Sequence, residues 1–149
     1  IELDYNLRLT KQLTLSGNGT YMKANIDSYT SDFDSIVHNN ITPLLTPEWI
    51  FNQSISYGLF CNKINITAST RYISTQFLGN DNDKNLTIPE AFTFNGAISI
   101  LATKRISLSL LCNNITDKKI FNGGYSMLGT SYYYVGAPRN YYLTLNYKF

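Results

Sequence analysis

The chain has 149 residues, the length of one ordinary domain, and a formal net charge of only +2. Charged residues make up 15% of it, below the roughly 25% of typical soluble domains, whereas aromatic residues reach 14%. The basic residues are scattered, which argues against a nucleic-acid partner. No apolar run reaches the roughly 18 residues of a transmembrane helix, and two cysteines are too few for a disulfide framework.

Apolar and polar residues alternate along seven segments, and this period of two predicts an all-β chain. The predicted strands cover residues 1–10, 13–26, 48–60, 64–76, 90–101, 106–113 and 141–149. The closing strand shows the pattern most clearly, because five apolar residues share one face and an aromatic residue ends it. These five residues are Tyr141, Leu143, Leu145, Tyr147 and Phe149.

The connections between the predicted strands alternate between short and long. Short turns lie at residues 11–12, 61–63 and 102–105, and long polar loops lie at 27–46, 77–89 and 114–138. Transmembrane β-barrels show this rhythm, because their periplasmic turns are short and their outer loops are long. The rhythm therefore favours an antiparallel, up-and-down transmembrane β-barrel over a soluble β-sandwich.

The polar faces of the predicted strands carry mainly Asn, Ser and Thr. A dry core built from such residues would be unstable, since each unpaired buried polar group costs about 1–3 kcal/mol. We therefore expect this face to line a wet lumen and the apolar face to meet lipid. Seven is an odd number of strands, whereas single-chain bacterial barrels have even numbers, and an open edge is unsatisfied in hydrocarbon. We expect further strands outside this chain to complete the barrel.

Four segments resemble motifs of the TonB-dependent outer-membrane receptors. Residues 44–49 (LLTPEW) are similar to the T-P-x-W entry to a strand, and residues 71–78 (RYISTQFL) to the R-Y-x-x-x-Q-Y-x-D strand-to-loop motif. Residues 112–119 (CNNITDKK) resemble the V-x-N-L-F-D-K-K-Y run before the last loop. Residues 136–143 (GAPRNYYL) are similar to the G-x-P-R-x-Y/F-x-L opening of the final strand.

The resemblance implies that residues 1–149 are the C-terminal part of an outer-membrane barrel of about 22 strands with a plugged lumen. It implies TonB-dependent active uptake of a scarce, bulky solute (siderophore, vitamin, glycan or peptide), with no enzyme activity and no cofactor. The implied partners are outer-membrane lipid, the remaining barrel strands, a plug domain, a TonB-type energy transducer, the barrel-assembly machinery and a lid lipoprotein. Two alternatives remain open: a passive porin or channel, and a barrel subunit that scaffolds an outer-membrane complex.

Three sets of residues are candidates for function. The closing set of Tyr141, Leu143, Leu145, Tyr147 and Phe149 matches the C-terminal signal that the assembly machinery reads in this class. Aromatic residues expected in the interfacial belts are Trp49, Phe51, Tyr57, Tyr72 and Phe92. Charged residues expected in the lumen are Glu2, Asp4, Arg8, Arg71 and Lys148, where they contact a plug or a solute, or form ion pairs across neighbouring strands.

Overall fold

The computed structural model describes residues 1–31 and 35–149. Its strands in chain order are β1 (Glu2–Arg8), β2 (Leu13–Tyr21), β3 (Ile26–Thr30), β4 (Val37–Ile41), β5 (Trp49–Leu59), β6 (Ile64–Ile73), β7 (Gln76–Phe77), β8 (Thr87–Ile88), β9 (Ala91–Leu101), β10 (Ile106–Asn113), β11 (Phe121–Met127), β12 (Thr130–Val135) and β13 (Asn140–Tyr147). No helix in the described part of the chain is long and apolar enough to cross a membrane.

Seven of the strands form one antiparallel sheet in the order β1-β2-β5-β6-β9-β10-β13. Each long strand therefore pairs with the long strand that precedes it and the one that follows it in the chain. Short turns join β1 to β2, β5 to β6 and β9 to β10, and long connections join the other neighbours. The prediction of an all-β chain with seven up-and-down strands is confirmed.

The long connections contain structure that the sequence pattern did not predict. Three two-stranded sheets, β3-β4, β7-β8 and β11-β12, lie within them at one end of the large sheet. The predicted strand 13–26 was too long, since β2 ends at Tyr21 and Ile26 already pairs with Ile41 in the first hairpin. The ladder between β2 and β5 stops where Tyr21 lies opposite Trp49, the first residue of β5.

The large sheet buries no apolar core of its own. Among the described residues, the buried apolar side chains are Ile41, Leu78 and Ile88, and all three lie in the long connections. In the middle of the sheet, Ile98 and Leu110 remain 43% and 44% exposed. Soluble sandwiches bury one face of each sheet against another. This sheet instead presents a mostly apolar face that no other part of the described chain covers.

The β11-β12 hairpin packs against the β7-β8 segment. Ile88 is 2% exposed, and Leu78 approaches Gly124 so closely that a Cβ at position 124 would lie 3.1 Å from Leu78 Cδ2. The Tyr133 hydroxyl donates a hydrogen bond of 2.9 Å to the carbonyl oxygen of Thr87. The second and third long connections therefore share one small core and pack as one unit.

Shortening a side chain in this small core should release the hairpin. We expect Ile88→Ala to destabilise the loop packing by about 2–5 kcal/mol, because it leaves a cavity where a fully buried side chain stood. Limited proteolysis of the full-length protein in detergent should then cut faster within residues 121–135. Leu128→Ala is the control, since Leu128 is 83% exposed at the hairpin tip. Equal cleavage rates for the two variants would contradict the shared core.

Candidate functional site

The polar face of the sheet is held together by side-chain hydrogen bonds between neighbouring strands. Asn52 Nδ2 donates to Asn18 Oδ1 at 2.7 Å, and the Ser99 and Ser109 hydroxyl oxygens lie 2.9 Å apart. A shallow cavity of about 640 Å³ opens on this face across β1, β2, β5, β6 and β9. Its polar lining includes Asp4, Asn6, Ser16, Asn18, Asn52, Ser54, Ser69, Arg71 and Asn95.

The strand register places the predicted lumen charges of the sheet on this polar face. Glu2 lies opposite Thr20, Asp4 opposite Asn18 and Arg8 opposite Thr14. Arg71 lies opposite Asn52 and Thr93, and so shares the same face. Lys148 follows the end of β13.

Ion pairing across neighbouring strands does not account for these charges. Within residues 1–31 and 35–149, the one ion pair joins Arg139 to Asp117 at 3.7 Å, in the third long connection. Arg8 instead donates from Nη2 to the Lys11 carbonyl oxygen at 3.2 Å, and the Arg71 side chain has no hydrogen-bond acceptor there. The polar face therefore carries charges that its own strands do not neutralise.

A second cavity, of about 410 Å³, lies where the polar face meets the long connections. Arg71, Ile73, Ala91 and Thr93 contribute from β6 and β9, and Gln76, Ile88 and Pro89 from the β7-β8 segment. Ile120, Phe121 and Asn122 at the base of β11 complete the lining. Arg71 lines both cavities and stands at their junction.

On the apolar face, four of the five predicted belt residues form a continuous row at the loop end. Ring centroids lie 5.4 Å apart between Trp49 and Phe51, 6.1 Å between Phe51 and Tyr72, and 6.2 Å between Tyr72 and Phe92. Tyr57, the fifth, is separate and lies towards the short turns. The arrangement fits an interfacial belt, and that role stays a prediction.

Two further aromatic residues extend this row. Tyr21 lies 4.4 Å from Trp49, and Phe94 lies 4.8 Å from Phe92, both measured between ring centroids. Both residues have the same alternation as the predicted members. Their positions in the strand alternation of β2 and β9 could have identified them from the sequence.

A polar contact interrupts the apolar face just below the aromatic row. The Tyr5 hydroxyl donates to Gln53 Oε1, and the Gln53 amide lies over Gly17. A Cβ at position 17 would lie 2.6 Å from the Asn52 carbonyl oxygen, so only glycine fits there. The sequence places Gln53 on the apolar face by its position in the strand alternation. The alternation does not indicate that Tyr5 is its hydrogen-bond partner.

The closing strand keeps the predicted alternation. Along β13, the register pairs Tyr141 with Cys112, Leu143 with Leu110 and Leu145 with Leu108. Beyond it, the Phe149 ring meets the Tyr147 ring edge-on, with centroids 5.0 Å apart. These side chains share one exposed apolar face. Recognition of this segment by an assembly machinery stays a prediction.

The two motif segments that flank the third long connection meet at its base. Asp117 Oδ1 accepts the backbone N–H of Arg139 at 2.9 Å, and Arg139 Nη1 donates to the Ile115 carbonyl oxygen at 3.3 Å. This contact closes a loop of more than twenty residues and ties it to the sheet.

Asn114 is the buried centre of the same closure. It is 3% exposed, and its Nδ2 donates to the carbonyl oxygens of Lys118 at 2.8 Å and Ala137 at 3.4 Å. Its Oδ1 accepts the Lys118 N–H at 3.2 Å. Its own N–H donates to Asn95 Oδ1 at 3.0 Å. Asn114 thereby joins both ends of the connection to β9.

No protein-family model matches the chain. Among solved structures, it is similar to the siderophore receptor PiuA from Acinetobacter baumannii, with a TM-score of 0.82 and 19% identity over 99% of this chain and 21% of that one. The closed form of the ferric-catecholate import receptor Fiu from E. coli K12 gives a TM-score of 0.77 and 21% identity, over 99% of this chain and 20% of that one. The ferric yersiniabactin uptake receptor FyuA from Yersinia pestis gives a TM-score of 0.74 and 16% identity, over 97% of this chain and 22% of that one.

These similarities establish the fold. The solved structures are receptors of the TonB-dependent class that the four motifs resemble, and nearly the whole chain superposes on them. The predicted fold, a segment of the barrel wall of these receptors, is therefore confirmed. The chain spans about a fifth of the length of each of the three.

Removing the Asn114 side chain should loosen the third long connection. Asn114→Ala leaves the Lys118 and Ala137 carbonyl oxygens without their donor, and we expect a local loss of about 1–3 kcal/mol. In the full-length protein, amide hydrogen exchange within residues 114–138 should accelerate.

Two further variants control this prediction. Asn114 has a positive φ of 49°, which glycine tolerates, so Asn114→Gly removes the hydrogen bonds without the backbone strain that alanine adds. Thr116→Ala changes an exposed neighbour and should leave exchange unchanged. Native exchange rates in Asn114→Gly would show that the side-chain bonds do not hold the connection.

Proposed function

We propose that this chain forms part of the barrel wall of a TonB-dependent receptor in the bacterial outer membrane, and that the receptor actively imports a scarce, bulky solute. The observation that carries the proposal is the sheet with two unlike faces and no core, which matches the barrel strands of siderophore receptors along 97–99% of its length. A membrane supplies what this sheet lacks. Lipid covers the apolar face, and a wet lumen solvates the polar one.

The two edges of the sheet indicate that further barrel strands pair on either side. Strands β1 and β13 each have one neighbour in the large sheet. Their free N–H and C=O groups would be unsatisfied in hydrocarbon, so neighbouring strands must pair with them in the membrane. We infer that the receptor's other strands do this, and that a plug domain fills the lumen beside the polar face. The TonB-type transducer, the barrel-assembly machinery and a lid lipoprotein are proposed partners of the whole receptor.

Ferric siderophores are the first solutes to test, because the similar structures are receptors for ferric catecholates and ferric yersiniabactin. A transport receptor of this kind binds its solute and moves it across the membrane without converting it chemically. In the described residues, no group of three or more His, Cys, Asp and Glu side chains is placed to hold a metal ion.

Energised uptake separates this proposal from its rivals. Cells that produce the full-length receptor should accumulate radiolabelled iron from a ferric siderophore panel, and accumulation should fall to background when the TonB-type transducer is deleted. Accumulation that survives this deletion would indicate a passive channel. A receptor that copurifies in a larger complex and supports no accumulation would indicate a scaffold.

Charge placed on either face should reveal which one meets lipid. Leu110 lies mid-strand on the apolar face, between Ile98 and Leu143. We expect Leu110→Arg to cost about 2–4 kcal/mol, the penalty for arginine facing lipid near the bilayer midplane. Its neighbour Ser109 lies on the polar face, and Ser109→Arg should cost under about 1.5 kcal/mol, the value of its hydrogen bond to Ser99.

The measurement is urea unfolding of the full-length receptor in lipid vesicles. The two variants differ by one position in sequence and carry the same new side chain, so each controls the other. An equal loss in both, or a larger loss for Ser109→Arg, would exclude the proposed orientation of the sheet.

A further inference from the structure

Gln53 places a polar amide on the apolar face of the sheet, halfway along its strand. The register sets Gln53 opposite Gly17, in line with Tyr5 on β1. It lies four residues from Trp49, at the loop end of β5, and four from Tyr57, towards the short turns. Because these two aromatic residues mark opposite ends of the apolar face, the Gln53 amide lies near the midplane of a bilayer that covers this face.

Only the oxygen of this amide has a partner. Gln53 Oε1 accepts the hydrogen bond of the Tyr5 hydroxyl, and this is the one hydrogen bond of the Gln53 side chain within residues 1–31 and 35–149. An amide nitrogen carries two N–H donors, and both remain unused in that part of the chain. No water is present in the hydrocarbon core to accept them, so they are strongly unfavourable there unless another group does.

The rest of the same barrel does not reach this amide. Strand β5 lies inside the sheet, with two strands on one side and four on the other. A strand that continues the wall beyond β1 lies three strand spacings from β5, about 14 Å away. The long connection before β5 ends about 13 Å further along the strand, and the proposed plug lies against the opposite face. The missing acceptor therefore belongs to a second molecule in the membrane.

The surface around Gln53 is flat and uncharged. The Gln53 amide lies over Gly17, and the Phe51 ring lies over Gly19; a Cβ at either glycine would approach these groups to 2.9 Å. Both side chains therefore lie along the sheet. The next residue of β5 on this face, Ile55, is apolar and 45% exposed. Small residues at contacts within membranes let two backbones approach closely enough for hydrogen bonds between chains.

We propose that this patch, formed by Tyr5, Gly17, Gly19, Gln53 and Ile55, is the contact between two copies of the receptor, related by a two-fold axis close to Gln53. Each Gln53 Nε2 donates to the Oε1 of the other copy, which keeps a lone pair after accepting the Tyr5 hydroxyl. The partial charges of an amide complement those of a second amide in the opposite orientation, so an identical copy supplies both missing partners. The inference rests on the proposed membrane setting and adds a dimer to it.

Cysteine cross-linking in the outer membrane tests the position of the axis. The full-length receptor carries Gln53→Cys, with every native cysteine, including the exposed Cys61, changed to serine. A disulfide needs Cα atoms within about 7 Å, which the two copies reach only beside the axis. We expect most of this variant to run as a dimer on a non-reducing gel after oxidation. Ile98→Cys lies two strands further along the same face, is 43% exposed, and should stay monomeric.

A second variant tests the hydrogen bonds themselves. Gln53→Leu combined with Tyr5→Phe removes the amide and leaves no hydroxyl without its acceptor. We expect the dissociation constant of the dimer to rise at least about tenfold, since two hydrogen bonds between chains are lost within the membrane. Energy transfer between labelled copies, followed as added lipid dilutes the receptor in vesicles, gives this constant. Urea unfolding checks that the wall of each variant is intact.

Three outcomes would overturn the inference. Gln53→Cys that cross-links no more than Ile98→Cys would exclude an axis at this patch. Cross-linking of Gln53→Cys to a different protein would show that another partner covers the amide. A native dissociation constant in the double variant would show that the amides do not join the copies.

Iron accumulation by the same cells separates this inference from the transport function. A receptor without the Gln53 cross-link that still accumulates iron in a transducer-dependent way overturns the dimer alone. A cross-linked dimer that accumulates none supports the pairing and removes the transport function.

Discussion

The whole structure depends on hydrogen bonding between neighbouring strands. The large sheet has no packed core, so the ladders from β1 to β13 hold it together without the apolar burial that stabilises soluble domains. Such a sheet is stable where its apolar face is not exposed to water and its backbone groups find no competing partner. Both conditions hold in a bilayer, where an unpaired backbone group costs several kcal/mol.

The loop end of the sheet is stabilised by interactions of a different kind. Here the chain leaves the ladder and stabilises itself by ordinary burial and by specific polar contacts. Ile88 and Leu78 form a small core beneath the β11-β12 hairpin, and Asn114 joins both ends of the third connection to β9. The base of β11 thereby lies beside the polar face, where its residues help to line the second cavity.

The strands were predictable because their information is local. Side chains alternate in a strand whatever its neighbours are, so the faces of Leu143, Arg71 and Trp49 followed from position alone. The loops were not predictable in this way. The β3-β4 and β11-β12 hairpins have irregular patterns, and β2 ended early at Tyr21, opposite the residue Trp49 at which its partner β5 begins. Within the described residues no ion pair joins the charged residues expected in the lumen, and their role stays a prediction.

The sequence by itself determined the two faces of the wall, the alternation of short and long connections, and the motifs that resemble one receptor class. Each of these depends on residue spacing along the chain, which needs no knowledge of distant contacts. Only the tertiary structure decided which residues meet. It brought residues 112–119 against 136–143, placed Gln53 over Gly17, and set Arg71 at the wall of a cavity lined by residues far apart in sequence. Register and loop packing set those meetings, and both arise from contacts between residues far apart in sequence.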